Sequence, residues 1–390
     1  MNRYYWRLPD GVDEVLPPAA KGLENLRRLV LDAFDTWGYE FVEPPVIEFL
    51  DSLLSASAPD MDLQTLKMVD VRSGRMLGLR ADMTSQVARI DAHSLKTETT
   101  QRICYAGPVV HANPRGALES RVPYMAGAEL FGAPGQAADA EVISLLADVL
   151  AQVGLERPVF VLGHVGIVAG IIAGAELPDS CVSDVYRALQ TKSETDLAEL
   201  LGTSPARDWL LSLPGLMGRV DVLDEARTKL ARAPQVVHEC IDTLSALADE
   251  LNERGCNLDL RFDLGESSGY AYHTGIVFSV FETSSSSAVA RGGRYDDVGA
   301  VYGRGRPATG FDLNLKSLLK SWLNSDTKKR CIWIDWQLRN EHDVQSKILT
   351  LRKEGNRVIV ATSAEDVIPH TCDKKLIKQN SDLRILKLED

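Results

Sequence analysis

Long apolar runs are missing from this 390-residue chain. None approaches the ~18–20 residues that a membrane-spanning helix needs. No apolar segment follows the charged start Met1-Asn-Arg-Tyr-Tyr-Trp-Arg7, so no signal peptide is expected. The six cysteines, Cys104, Cys181, Cys240, Cys256, Cys331 and Cys372, never form a C-x-x-C pair. Their scatter argues against a zinc site or a disulfide scaffold and for a reducing cytoplasm. Neither G-x-G-x-x-G nor a P-loop with its lysine occurs. Basic residues are short in number: 43 Lys and Arg against 55 Asp and Glu give a net charge of −12. Residues 328–390 hold thirteen basic and ten acidic side chains, a net of +3, which leaves −15 on the rest. Such a body is a poor surface for phosphate backbones, and no nucleic-acid partner is expected. What remains, 45% apolar and 25% charged residues, is ordinary for a globular protein of two or three domains.

Periodicity divides the chain. Pro17-Pro18 opens a helix carrying Leu23, Leu26, Val30, Ala33 and Trp37 at helical spacing, and Gly38 ends it. Strands are predicted at 39–42, 76–80, 101–111 and 124–131, with helices from about residue 82 and over 139–153. From about 176 to 256 helical periodicity alone persists, which reads as a helical insertion. Strands return at 258–264, 275–281 and 287–291, followed by a helix over 311–323. The tail, 327–390, reads as a small α/β domain with strands at 331–336, 357–361 and 383–388 and a helix over 341–354. Strands paired in sequence, with helices between distant ones, make the body α+β, an antiparallel sheet flanked by helices, and not a doubly wound fold.

Four segments hold candidate chemistry. Gly163-His-Val-Gly166 follows a strand and reads better as a tight strand-to-helix turn than as a phosphate loop, with His164 structural. Arg291-Gly-Gly-Arg-Tyr-Asp296 is either a strand-end turn or an anion site built on Arg291 and Arg294. Gly265-Glu-Ser-Ser-Gly-Tyr-Ala-Tyr-His-Thr-Gly275 gathers Tyr270, Tyr272 and His273, either as a turn or against a small polar ligand. Asp82 in Arg80-Ala-Asp-Met-Thr84 and Glu129 in Gly127-Ala-Glu-Leu-Phe131 are carboxylates in apolar surroundings. A buried carboxylate needs a cation, supplied by an internal arginine or by a ligand ammonium.

The order of these segments, with Gly107-Pro108 and Pro307-Ala-Thr-Gly-Phe311 between and after them, resembles the class II histidyl-tRNA synthetase catalytic domain over about residues 5–323. The resemblance implies a sheet of six or more antiparallel strands with a helical insertion before the last strands. Position by position, it implies an amino acid pocket made by Asp82, Thr84, Glu129, Tyr272 and His273, with Tyr270 beside them. The adenylation arginines of the synthetase fall on His111, Ser268 and Ser317, leaving Arg115, Arg121, Arg304 and Lys316 as the nearest cations.

A synthetase-like body that keeps the amino acid pocket and lacks the phosphate arginines resembles the ATP phosphoribosyltransferase regulatory subunits, the synthetase paralogues of histidine biosynthesis. The run Phe262-Asp-Leu followed by Gly269-Tyr-Ala-Tyr-His-Thr-Gly-Ile-Val-Phe278 carries that likeness, although Glu266-Ser-Ser-Gly269 stands where the family more often has L-R-G. The resemblance implies a cytoplasmic, non-catalytic subunit without cofactor or metal. It also implies a dimer of this chain, a hetero-octamer with a short-form catalytic subunit, and L-histidine as effector. An active amino acid-activating enzyme and a pure assembly scaffold with a vestigial pocket are the alternatives. The tail resembles a trimmed anticodon-binding domain.

Overall fold

A computed structural model describes residues 6–55, 61–113, 119–155, 157–175, 177–267, 269, 272–283, 287–325, 331–369, 371–380 and 382–388. The chain forms two compact units, Met1–Leu323 and Asn324–Asp390.

The first unit is built on a nine-stranded sheet. Its order is Glu40–Phe41, Gln101–Pro108, Tyr124–Phe131, Ala308–Asn314, Ala288–Arg294, Ile276–Phe281, Val159–His164, Asp259–Asp263 and Met217–Gly218. The central strands pair antiparallel. Two pairings, Glu40–Phe41 with Gln101–Pro108 and Val159–His164 with Asp259–Asp263, are parallel, so the sheet is mixed. A small sheet of Ile47–Phe49, Met76–Leu79 and Lys67–Val69 lies beside it in sequence.

Strand alternation assigns each face its role. Ala126, Ala128 and Leu130 of one strand, with Phe311 and Leu313 of the next, join Leu26, Val30 and Phe34 of the helix Ala19–Thr36 and Leu145, Leu146 and Val149 of the helix Gln136–Val153 in the main core. The opposite face carries Gly127, Glu129 and Phe131, which belong to the site described below. The helices Asp179–Gln190, Glu194–Leu201, Arg207–Ser212, Asp221–Lys229 and Gln235–Glu253 fill the region read as an insertion.

Three local expectations change. Residues 311–314 belong to the strand Ala308–Asn314, and the helix starts at Leu315. The strand at 288 runs on to Arg294, so the glycine pair Gly292-Gly293 is inside the sheet and is not a strand-end turn. The second unit is a four-stranded sheet in the order Arg357–Val360, Cys331–Ile334, Lys374–Gln379 and Asp382–Lys387, with the helix His342–Lys353. Its Lys374–Gln379 strand is lysine-rich and buries only Leu376 fully, and so gives little apolar signal. The strand-to-helix junction expected here is present, but the strand Val159–His164 keeps Gly163 inside it and the helix starts at Val165. His164 caps the helix Val165–Ala173 by accepting from the Gly166 amide at 3.1 Å, and burial pushes its imidazole down to about 4.

Candidate functional site

The site begins as an absence of side chains. Gly127 lies opposite Tyr105, Gly310 opposite Glu129, and Gly293 opposite Gly310 in register, so all face the same side of the sheet. A Cβ at Gly310 would lie 1.6 Å from Glu129 Oε2, and one at Gly127 would lie 2.4 Å from the Tyr105 ring and hydroxyl. These positions must be glycine for a long carboxylate and a tyrosine to lie flat on the sheet.

Glu129 is 1% exposed. Tyr105 donates its hydroxyl to Oε1 at 2.9 Å, and Tyr295 donates to Oε2. The Thr84 hydroxyl lies 3.3 Å from that of Tyr105. No lysine or arginine among the described residues pairs with Glu129, so the internal ion pair does not form. Burial pushes its carboxyl up to about 8, and the two tyrosine hydroxyls hold it down only in part.

Tyr272 packs against Tyr295, with ring centroids 5.3 Å apart, and meets the His273 ring edge to face. The Tyr272 hydroxyl is buried without a hydrogen-bond partner among the described residues. Burial lowers the His273 imidazole to about 4, so it is neutral at pH 7. An unpartnered buried hydroxyl beside a carboxyl with no counter-charge is an arrangement that a small polar cation would complete.

Asp82 stands at the margin. Its Oδ1 accepts from the amides of Met83 at 2.7 Å and Thr84 at 3.2 Å, fixing the first turn of the helix Thr84–Arg89. The preceding strand end is held by Arg80, which donates to the Pro108 carbonyl at 2.9 Å and the Pro44 carbonyl at 2.6 Å. Asp82 also lines a cleft of about 280 Å³ with His111, Arg291, Asp312, Asn314 and Ser317. Two of the three positions where the synthetase resemblance placed phosphate arginines therefore share one cleft, and both are uncharged or weakly basic. His111 Nε2 lies 3.1 Å from the Ala81 carbonyl.

The other cations named from the sequence separate. Arg291 is exposed at the cleft. Arg294 points through the opposite face, to Asp139 at 2.8 Å, the Gly135 carbonyl at 2.8 Å and Asp296 at 3.1 Å. Its donors are taken up inside the protein, so it does not serve as an anion contact at the site. Arg121 donates to the carbonyls of His111 and Asp10, and Lys316 pairs with Asp13. Arg304 lines a different cleft. Arg115, Ser268 and Tyr270 lie outside the described residues. Among the described residues no group of His, Cys, Asp and Glu could hold a metal ion. Tyr105 and Tyr295 are the site residues that the sequence did not single out.

Glu129 also sets a pH dependence. The unfolded chain ionises near the ordinary ~4.3, whereas the folded site keeps its proton to about 8. Between those values the folded state binds the extra proton, so stability falls as pH rises. From pH 6 to 8 the unliganded protein should lose about 2 kcal/mol through this group. Urea unfolding of wild type and Glu129→Gln should show the difference. Parallel pH curves for the two would remove Glu129 as the source.

A family model described as "Histidyl-tRNA synthetase" matches residues 11–318. A protein of Ectopseudomonas mendocina (strain ymp) named "ATP phosphoribosyltransferase regulatory subunit" is 46% identical over 379 residues, covering 95% of each chain. One of the same name from Pseudomonas aeruginosa (strain LESB58) is 43% identical over 388 residues, covering 98% of each. Among solved structures, an "ATP phosphoribosyltransferase regulatory subunit/histidyl-tRNA synthetase" from Bacillus halodurans superposes with a TM-score of 0.82 at 25% identity, over 94% of this chain and 95% of that one. The histidyl-tRNA synthetase of Nostoc sp. PCC 7120 shares the fold, with a TM-score of 0.76 at 16% identity over 98% and 97% of the two chains. The glycine-floored carboxyl site thus sits on a class II synthetase scaffold, and the chain belongs to the family of ATP phosphoribosyltransferase regulatory subunits of histidine biosynthesis.

Proposed function

We propose that this chain activates a short-form ATP phosphoribosyltransferase catalytic subunit, has no adenylating activity of its own, and confers feedback inhibition by L-histidine. One observation carries the reading. The seat for a small cation is intact around Glu129, Tyr105 and Tyr295, while His111 and Ser317 stand in the adjoining cleft. The ligand's ammonium ion-pairs with Glu129 first and Asp82 second. Thr84, Tyr270, Tyr272 and His273 complete the pocket around its imidazole.

Amino acid activation develops negative charge on the α-phosphate. Guanidinium forks stabilise that charge, and losing one such donor typically costs ~2.7–4 kcal/mol. Serine and a buried histidine are no replacement, and losses within one machinery do not simply add. Regulation asks for much less. A coupling of ~1–3 kcal/mol between this pocket and the partner's site suffices, provided that histidine binds two quaternary states unequally. The working assembly on this reading is a hetero-octamer of four chains of each kind, built on dimers of this one.

The test is a phosphoribosyltransferase assay on the catalytic subunit alone and mixed with this chain, each with and without histidine. Mixing should raise the rate, and histidine should suppress the mixture about 5–150-fold more strongly than the catalytic subunit alone. No change on mixing refutes the reading. Activation without added histidine sensitivity leaves a scaffold only. Histidine-dependent ATP–pyrophosphate exchange by the pure chain would make it an activating enzyme instead.

A further inference from the structure

The loop that leads to Tyr272 and His273 leaves the end of the strand Asp259–Asp263, and the helical insertion grips it there. The grip is the corner between the helices Asp179–Gln190 and Glu194–Leu201, 71 residues away in sequence. Lys192 of that corner donates to both carboxylate oxygens of Asp263, at 2.6 and 2.7 Å. Gln190 donates to the Ser267 carbonyl at 3.4 Å.

Lys192 stands where a helix end favours another residue. It follows the C-cap Thr191 with φ +54°. Helices that end this way usually place glycine there, because a Cβ is strained in the left-handed region. The Lys192 amide donates to the Leu189 carbonyl at 3.1 Å, and the Ser193 amide to the Ala188 carbonyl at 2.9 Å. Glycine would make the same backbone bonds with less strain. What only the lysine supplies is the ammonium.

Asp263 is the receiving end. Its side chain is 7% exposed, and burial pushes its carboxyl up against the pull of Lys192. Lys192 is the only cation paired with it among the described residues. Its Oδ1 accepts from the Gly265 amide at 3.0 Å, and its carbonyl from the Glu266 amide at 3.2 Å. One carboxylate thus folds the start of the loop and is itself held by the insertion. Gly265 fits beneath the ammonium, since a Cβ there would lie 3.3 Å from Nζ and from the Leu213 carbonyl. Ser267 is fully buried. Two residues on, the Gly269 carbonyl accepts from the amides of Tyr272 at 2.8 Å and His273 at 2.9 Å. A short run of bonds and close contacts separates Lys192 from the two rings.

We infer that Lys192 is a positioning residue for the effector pocket. Through Asp263 it ties the helical insertion to the loop that places Tyr272 and His273, and it tunes the affinity for histidine without touching the ligand. This inference rests on the regulatory reading above.

A purely stabilising ion pair predicts a different outcome, and the test separates the two. Histidine inhibition and activation are measured on the full chain mixed with the catalytic subunit, and stability by urea unfolding. Lys192→Met should raise the histidine inhibition constant about 3–30-fold, the range for couplings carried through intervening residues, and leave activation unchanged. It should also lower stability, because Asp263 is left buried without its cation. The double change Lys192→Met with Asp263→Asn removes both charges and keeps an acceptor for the Gly265 amide. It should regain stability and still respond weakly to histidine, since the tie is gone. Should Lys192→Met fail to fold, the double variant carries the test. Wild-type inhibition in the variants overturns the inference. So does inhibition that returns together with stability in the double variant, and so does a loss of activation equal to the loss of inhibition. If wild type itself shows no histidine inhibition, the regulatory reading fails and the inference falls with it.

Discussion

Glu129→Gln should weaken histidine inhibition of the phosphoribosyltransferase complex by about 30-fold or more and leave activation of the catalytic subunit in place. Glutamine has the shape of glutamate. One amide oxygen still accepts from a tyrosine, and the amide nitrogen donates to the other tyrosine's oxygen, so Tyr105 and Tyr295 keep their positions. What disappears is the negative charge that a ligand ammonium would pair with. Removing one partner of a buried, hydrogen-bonded charge pair costs ~2–5 kcal/mol, which is about 30-fold at the low end. Glu129→Ala is the poorer test, since it leaves two buried hydroxyls and a void. Titrating histidine into the mixed complex at pH 7 reads the effect directly. An unchanged inhibition constant places the effector elsewhere. Loss of activation together with inhibition makes the pocket part of the assembly itself.

The same site shows what was readable from the sequence. Glu129 and Asp82 stood out because carboxylates in apolar surroundings require an explanation, and Thr84 entered only through the family resemblance. Tyr105 did not, because a tyrosine within Ile103-Cys-Tyr-Ala is an ordinary core residue until Gly127 is known to lie across from it. That pairing is a property of the sheet, and no local pattern contains it. The helix expected over 311–323 failed for a different reason. Phe311, Leu313 and Leu315 repeat every two residues, while Leu315, Leu318, Leu319 and Trp322 repeat as a helix does. The two periods meet at Leu315, and the longer one hides the shorter. The order of the motifs was the strongest signal, since it tied together strands that lie far apart in the chain.

Asp139→Ala should destabilise the protein by about 3–5 kcal/mol, the usual result of stranding one member of a buried ion pair. The Arg294 and Asp139 side chains are 10% and 4% exposed, with Nη2–Oδ1 and Nε–Oδ2 contacts of 2.8 and 3.2 Å. Burial pushes the Asp139 carboxyl up against the pull of Arg294, so the pair already bears a desolvation cost. Alanine keeps the cost of burying the guanidinium and removes the attraction. The double change Asp139→Leu with Arg294→Met removes both charges and should recover most of the loss. Urea unfolding of wild type and the two variants measures this, and a loss below about 1 kcal/mol for Asp139→Ala would contradict the argument. Histidine inhibition in folded Arg294→Met should match wild type. If it weakens instead, Arg294 reaches the ligand. The expected result follows from the strand itself. Arg291 and Gly293 face the site, whereas Gly292 and Arg294 face the helix Gln136–Val153. The strand ends at Arg294, and the next residue, Tyr295, returns to the site to meet Glu129. Adjacent residues of one motif thus lie on opposite faces of the sheet, Arg294 paired with Asp139 on the helix side and Tyr295 bonded to Glu129 on the other.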